Sequence, residues 1–237
     1  MIKHFKTFLF ATLVACAGIF TSCDEEDPGP LQDKEKDYSL VDFDRLEMGS
    51  AFHIDVEQSN TFSIHVEGDR RNIDDLEVYK SGSTLVIKYE DNANRKHDTY
   101  ITIRMPRLEA VNFSGASVST IKGFESDDDL DFILSGASVS QLDAGYRQLN
   151  LDISGGSSLR LYGLGDELEA KVSGASTLSA FDYPVRESIL DASGASHAKV
   201  TVSDDLDVTA TGASSILYRG NPSITTNVSG SSTVEKD

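Results

Sequence analysis

Residues able to do chemistry are sparse in this 237-residue chain, and their spacing limits what they could do. Cysteine occurs only at Cys16 and Cys23, so no disulfide or cysteine-bound metal is available to the body of the protein. Past the N-terminal segment the histidines are His53, His65, His97 and His197. The first two fall in strand-like runs, His97 lies in the polar stretch 91–98, and His197 stands alone. No His-Glu-x-x-His pair, P-loop or Gly-x-Ser-x-Gly elbow is present. Gly163-Leu164-Gly165 lacks the third glycine and the βαβ setting of a dinucleotide loop. These patterns lead us to expect no catalytic, cofactor-binding or metal-binding residues, and no enzyme.

Carboxylates are the remaining candidates. Asp127-Asp128-Asp129, Asp166-Glu167 and Asp204-Asp205 recur in segments that read as turns. Lined up along one edge they would offer oxygen ligands for Ca²⁺. The Gly-Gly-x-Gly-x-Asp repeat of calcium-binding β-rolls is missing, and turns favour Asp for its local hydrogen bonds, so solvated loops are the simpler expectation.

Cys23 carries a different chemistry. Lys3 and Lys6 precede a 13-residue uncharged, largely apolar run, Phe8–Phe20, which is short for a membrane span and suited to a secretory signal. Phe20-Thr21-Ser22-Cys23 resembles a bacterial lipobox. That resemblance implies lipid on the Cys23 sulfur, cleavage before it, and a membrane as partner through the lipid chains. Residues 1–22 are then a signal peptide, and their removal takes two lysines from a net charge of −18, leaving about −20. Asp24-Glu25-Glu26-Asp27 is similar to the surface-export signal of Bacteroidota lipoproteins, which points to the outer membrane and the cell surface. With Pro28, Gly29 and Pro30 following, residues 23–37 are expected to be an acidic, flexible tether. The acidity argues against nucleic acid and against docking on anionic lipid through basic residues.

The elements that would position any site come from internal repetition. Seven tetrapeptides recur: Ser114-Gly-Ala-Ser117, Ser135-Gly-Ala-Ser138, Ser154-Gly-Gly-Ser157, Ser173-Gly-Ala-Ser176, Ser193-Gly-Ala-Ser196, Thr211-Gly-Ala-Ser214 and Ser229-Gly-Ser-Ser232. Their starts are 21, 19, 19, 20, 18 and 18 residues apart, the signature of a solenoid. Before the motifs, apolar residues alternate with mostly polar ones, as in Val111-Asn112-Phe113 and Leu151-Asp152-Ile153. That is a strand with one face inward. The pattern predicts an all-β, single-stranded parallel β-helix whose Ser-Gly-Ala-Ser corners stack about 4.8 Å apart, giving seven coils in a rod roughly 30–35 Å long. Glycine at the second place suits close backbone approach, and the hydroxyls can satisfy corner backbone. A ligand-binding serine row is the alternative.

Residues 107–237 hold the regular coils, and 38–106 are expected to form an irregular β cap on the same domain. Met48-Gly49-Ser50-Ala51 and Ser81-Gly82-Ser83-Thr84 look like degenerate corners within it.

Tyr100-Ile-Thr-Ile-Arg-Met-Pro-Arg-Leu108, running into Asn112-Phe-Ser-Gly-Ala-Ser117 and the repeats, resembles the auto-transporter adhesin head GIN domain family of Bacteroidota over about 41–237. The resemblance implies a non-catalytic adhesion or binding module with a glycan or protein ligand, and it brings no ligand residues. One alternative is a structural spacer or envelope-assembly protein without a specific ligand. Another is a degenerate carbohydrate-active enzyme, since β-helices host polysaccharide lyases. Such sites gather carboxylates with Lys or Arg on one sheet face, and no such group is expected at the outward positions beside the corners. A glycan platform would want aromatics in register, whereas Tyr146, Tyr162, Tyr183 and Tyr218 sit at different offsets from their motifs.

Overall fold

The computed structural model describes residues 29–237; the signal peptide expected over 1–22, Cys23 and the acidic run Asp24–Asp27 lie outside them. Strands β1 (Asp33–Tyr38), β2 (Arg45–Met48), β3 (His53–Gln58) and β4 (Ser63–Asp69) lead to one short helix, α1 (Arg70–Asp74). Next come β5 (Leu76–Ser81), β6 (Thr84–Tyr89), β7 (Thr99–Met105) and β8 (Ala110–Phe113). Long bent strands then carry the repeats: β9 (Val118–Leu134), β10 (Val139–Ile153), β11 (Ser158–Val172), β12 (Thr177–Ala192) and β13 (His197–Ala210). Strands β14 (Ser215–Arg219), β15 (Ser223–Val228) and β16 (Thr233–Lys236) complete the chain.

The repeats form the expected parallel β-helix. β9 to β13 pair in parallel, each with the next, and the positions flanking every corner stay in step. At the corners one backbone bridges to the next: Ala175 N–H donates to Gly155 O at 2.8 Å, and Ala195 N–H to Gly174 O at 2.8 Å. Pairing slips only in the return bends, at Asp143/Ala144 and Tyr146/Gln148, near Arg160, and between Ala180 and Glu187.

Alternation makes the core. Leu130, Phe132 and Leu134 of β9 face inward over Leu149, Leu151 and Ile153 of β10, and all are buried. Burying one such side chain contributes about 1.5–3 kcal/mol. Over the first six corners the preceding residue shrinks along the stack, from Phe113 through Leu134, Ile153 and Val172 to Ala192 and Ala210, all of them buried, whereas Val228 before the last corner is exposed.

The corner serines serve the fold. The last serine of each corner from Ser117 to Ser214 is buried. Ser117 Oγ–H donates to Ser114 O at 2.8 Å, and Ser138 Oγ–H to Ser135 O at 2.8 Å, which closes the turn from inside. A ligand-binding row at this position is thereby excluded.

Three features of the cap bear on the expectation, the first meeting it and the other two departing from it. First, Met48–Ala51 is a true corner: Ser114 N–H donates to Met48 O at 3.0 Å and Val118 N–H to Phe52 O at 2.9 Å. β2 and β3 thus form a coil, β6 and β7 stack on one side of it in parallel, and β8 returns to pair with β2 on the other. Secondly, Ser81–Thr84 is the turn of an antiparallel hairpin, β5 on β6, and no backbone stacks on Gly82.

Thirdly, Asp33–Tyr38, which falls inside the tether expected over 23–37, is a strand paired antiparallel to β4. The alternation in β1 is of charge rather than of hydropathy: Asp33, Glu35 and Asp37 alternate with Lys34, Lys36 and Tyr38. As an outermost strand it has little apolar surface to bury, and charges on such an edge oppose further strand addition. That charge density reads as a linker when only the sequence is considered.

Helix α1 is fixed at its start by Asp69, which is buried although charged. Its carboxylate accepts from Arg71 N at 2.9 Å, from Arg71 Nε and Nη2 at 2.7 and 2.6 Å, and from Gln32 N at 3.1 Å. These donors, the Arg71 side chain first, hold Asp69 well below the usual carboxylate range against the opposing effect of burial. No helix among the described residues is long and apolar enough to cross a membrane.

Candidate functional site: the outward faces of the solenoid and its cap

Each coil turns two polar strand faces outward, and the register decides which side chains meet. On the strands before the corners, Asp129, Gln148, Glu167, Glu187 and Asp205 stack in one row, and Asp131, Asn150, Glu169, Ile189 and Asp207 in the next. Asp152, Lys171 and Asp191 form a third. Carboxylates and a lysine thus do come together in adjacent coils beside the corner, contrary to the sequence expectation. The cause is that equivalent outward positions about 18–20 residues apart in sequence become neighbours about 4.8 Å apart across coils. Asp131, Asp152, Glu169 and Lys171 border a shallow hollow of about 440 Å³ there.

The other sheet, after the corners, has a different chemistry. Thr120, Gln141, Arg160, Ser179, Lys199 and Leu217 stack outward. Beside them Arg219 lies over the Phe181 ring at 3.8 Å and bonds Asp237 at 2.7 Å. The rows before the corners are thus largely acidic, whereas the row from Thr120 to Leu217 after them carries no acid and the row beside it mixes Lys122 with Asp143 and Asp182.

Two hollows of about 470 and 430 Å³ flank the return bends and share Glu125, Ser126 and Tyr146. Tyr146 is itself buried and donates to Leu108 O at 2.9 Å. Tyr183 is buried as well, and burial pushes its hydroxyl up to about 12. These two tyrosines are core residues, which is why their offsets match no outward ladder. Among the described residues the return-bend acids Asp127–Asp129, Asp166-Glu167 and Asp204-Asp205 do not converge on a common cation position.

Among the described residues, a gathering of histidines and carboxylates lies on the cap. Pairing of β3 with β7, β7 with β4, and β4 with β1 sets two rows across four strands. One row is His53, Tyr100, Glu67 and Glu35, and the other is Asp55, Thr102, His65 and Asp37. His53 stacks on Tyr100 with ring centres 4.9 Å apart, and its Nε2 is 3.6 Å from Asp98. His65 Nδ1 lies 2.8 Å from Asp37 Oδ1. That hydrogen bond, with Asp37, Glu35 and Glu67 adding charge, raises the imidazole above its ordinary value. Beside the rows is a hollow of about 550 Å³ bordered by Leu31, Glu35, Glu67, His97, Asp98 and Tyr100. His53, His65 and His97 thus belong to one region, and His197 stays apart from them. Sequence reasoning missed this because β1 and β4 are some 30 residues apart and β1 was read as tether.

The profile of the family described as "Putative auto-transporter adhesin, head GIN domain" matches residues 42–222. No curated protein matches the chain. Among solved structures, one described as a "putative adhesin" from Bacteroides fragilis superposes with a TM-score of 0.78 at 19% identity, covering 87% of this chain and 97% of that one. A "putative adhesin" from Parabacteroides merdae has a TM-score of 0.72 at 19% identity, over 87% and 96%. A "putative lipid binding protein" from Parabacteroides distasonis has 0.72 at 18%, over 86% and 96%. At these identities the likeness speaks to the fold. With a family match spanning most of the chain and a β-helix of the same kind, this protein belongs to the auto-transporter adhesin head GIN domain family.

Proposed function

We propose that this chain is a cell-envelope lipoprotein, anchored through Cys23 at the outer membrane and exposed at the cell surface, whose solenoid is a non-catalytic adhesion module for a glycan or protein ligand. The observation that carries the reading is family membership over residues 42–222, joined to long outward rows of polar side chains held in register. Rigid, repeated display of polar groups suits a polymeric partner, because one ligand can meet several coils at once.

Two measurements test it. Protease applied to intact cells should cleave the chain, and replacing Asp24–Asp27 with Ala should protect it while leaving the anchor in place. The purified chain should retain ligands from an array of glycans and host-matrix proteins. A chain shielded from protease on intact cells and blank on every array would instead be a spacer within the envelope.

A further inference from the structure

The cap holds one arrangement that neither the fold nor an adhesive role requires. One ring nitrogen of His65 and one carboxylate oxygen each of Glu35 and Glu67 lie within 4.8 Å of one another. We propose that Glu35, His65 and Glu67 form a binding site for a divalent transition cation of the zinc type, which clasps edge strand β1 onto β4.

The register creates the site. Glu35 stands directly across the ladder from Glu67, and Asp37 directly across from His65. Like charges facing each other across two strands destabilise the pairing. Acids nearby in the cap are matched with bases: Asp74 with Lys34, Asp69 with Arg71, Glu57 with Lys122, and Glu77 with Lys88. Among the described residues neither Glu35 nor Glu67 has an ion-paired base; Lys96 borders the same hollow, and the imidazole of His65 comes within 4.8 Å of both carboxylates.

The second feature is how His65 is held. An ionised Asp37 can only accept, so His65 Nδ1 carries the hydrogen at 2.8 Å, and Nε2 is left with a lone pair. A carboxylate that fixes the far nitrogen of an imidazole is the usual outer partner of a metal-binding histidine. Imidazole with two carboxylates selects zinc-like ions over calcium or magnesium, which prefer oxygen alone.

The spacing is close to sufficient. Donors about 2.1 Å from a tetrahedral ion stand about 3.4 Å apart. Closing from 4.8 Å or less needs only rotation of two exposed glutamate side chains. The hollow of about 550 Å³ that Glu35 and Glu67 border leaves room for water, or a ligand group, at the fourth position.

Protons compete for the same nitrogen. His65 faces Glu35 and Asp37 from β1, Glu67 from its own strand, and Thr102 with Tyr100 from β7. At low pH its raised affinity for a proton gives the acidic patch a positive charge of its own, and cation binding should fall accordingly.

The test is calorimetric titration of the full-length chain with zinc chloride at pH 7.5. One ion per chain is expected. Glu35→Gln, His65→Gln and Glu67→Gln should each weaken binding at least tenfold, and Asp37→Asn, a positioning change, by about tenfold. His197→Gln should bind as the parent does, and millimolar calcium should not displace the zinc. Two readouts guard against a variant that fails to fold. Cobalt bound to the parent should give visible absorption that His65→Gln abolishes, and zinc should slow amide exchange across Asp33–Tyr38 in the parent. The proposal is overturned if the parent binds no zinc, if His65→Gln and Glu67→Gln bind it undiminished, if calcium displaces it, or if exchange in β1 is indifferent to it.

Discussion

A Cβ placed on Gly174 would lie 2.4 Å from the carbonyl oxygen of Gly155, its counterpart one coil below. Gly174 also has φ +73°, where side chains are strained. Gly174→Val should therefore cost several kcal/mol, a large share of a domain's stability. Two controls separate the stack from the corner in general. Lys171→Thr, on the outward face, should change stability by less than about 0.5 kcal/mol. Gly156→Ala sits in a corner too, but its Cβ would meet nothing nearer than 3.9 Å, and other corners carry alanine there; it should be neutral or stabilising by about 0.5 kcal/mol. Denaturant melts of the three variants decide the matter, and a harmless Gly174→Val would remove the stacked corner.

Asp69 ties the start of α1 to Gln32 and Arg71. Asp69→Ala removes a helix cap worth about 1 kcal/mol and strips a partner from Arg71, so roughly 2 kcal/mol should be lost at pH 7. Because the folded carboxyl is depressed, its contribution is present above the unfolded value near 4 and declines as pH falls through the lower, folded value. Melts of parent and variant should converge in strong acid; a constant gap down to pH 2 would contradict this.

His65 works in the opposite sense. Its folded value is raised, so the Asp37 bond stabilises fully below the unfolded value near 6.5 and loses that contribution as pH rises through the raised folded value. With metal removed by chelation, amide protection in β1, after correction for the intrinsic pH dependence of exchange, should be greater at pH 6 than at pH 8, and His65→Gln should flatten the difference. Equal protection at both values in the parent would contradict it.

Cys23→Ala should move the protein from the membrane fraction to the soluble one and abolish labelling by radioactive palmitate. A variant still labelled and membrane-bound would show that the anchor lies elsewhere.

The solenoid was legible because its signal is redundant: seven glycines at one place in seven corners and apolar residues alternating before each of them. The cap was half legible. Met48–Ala51 was recognisable as a corner from Gly49, but Gly82 occurs in an equally plausible tetrapeptide that turns a hairpin instead. Local composition cannot tell these apart, since what differs is whether a neighbouring coil lies beneath. β1 escaped notice because an edge strand is stabilised by ladder hydrogen bonds, which leave no mark on side-chain pattern. The cap-face rows went unseen for the same reason, as did the acidic rows of the coils, which only pairing brings together.

The corners advance through space at a constant step, although the sequence between them varies from 18 to 21 residues. Every slip in pairing is absorbed away from the corners, and none falls at the corner glycines. The corner thus acts as the metronome of the rod and the bend as its slack. Residues can be gained or lost at a bend without the next coil losing the beat, whereas a single residue added beside a corner would turn the inward side chains of that strand outward. Over evolutionary time, variation in such a chain should collect along one seam, the line of bends, where new loops can be tried while the frame beneath keeps time.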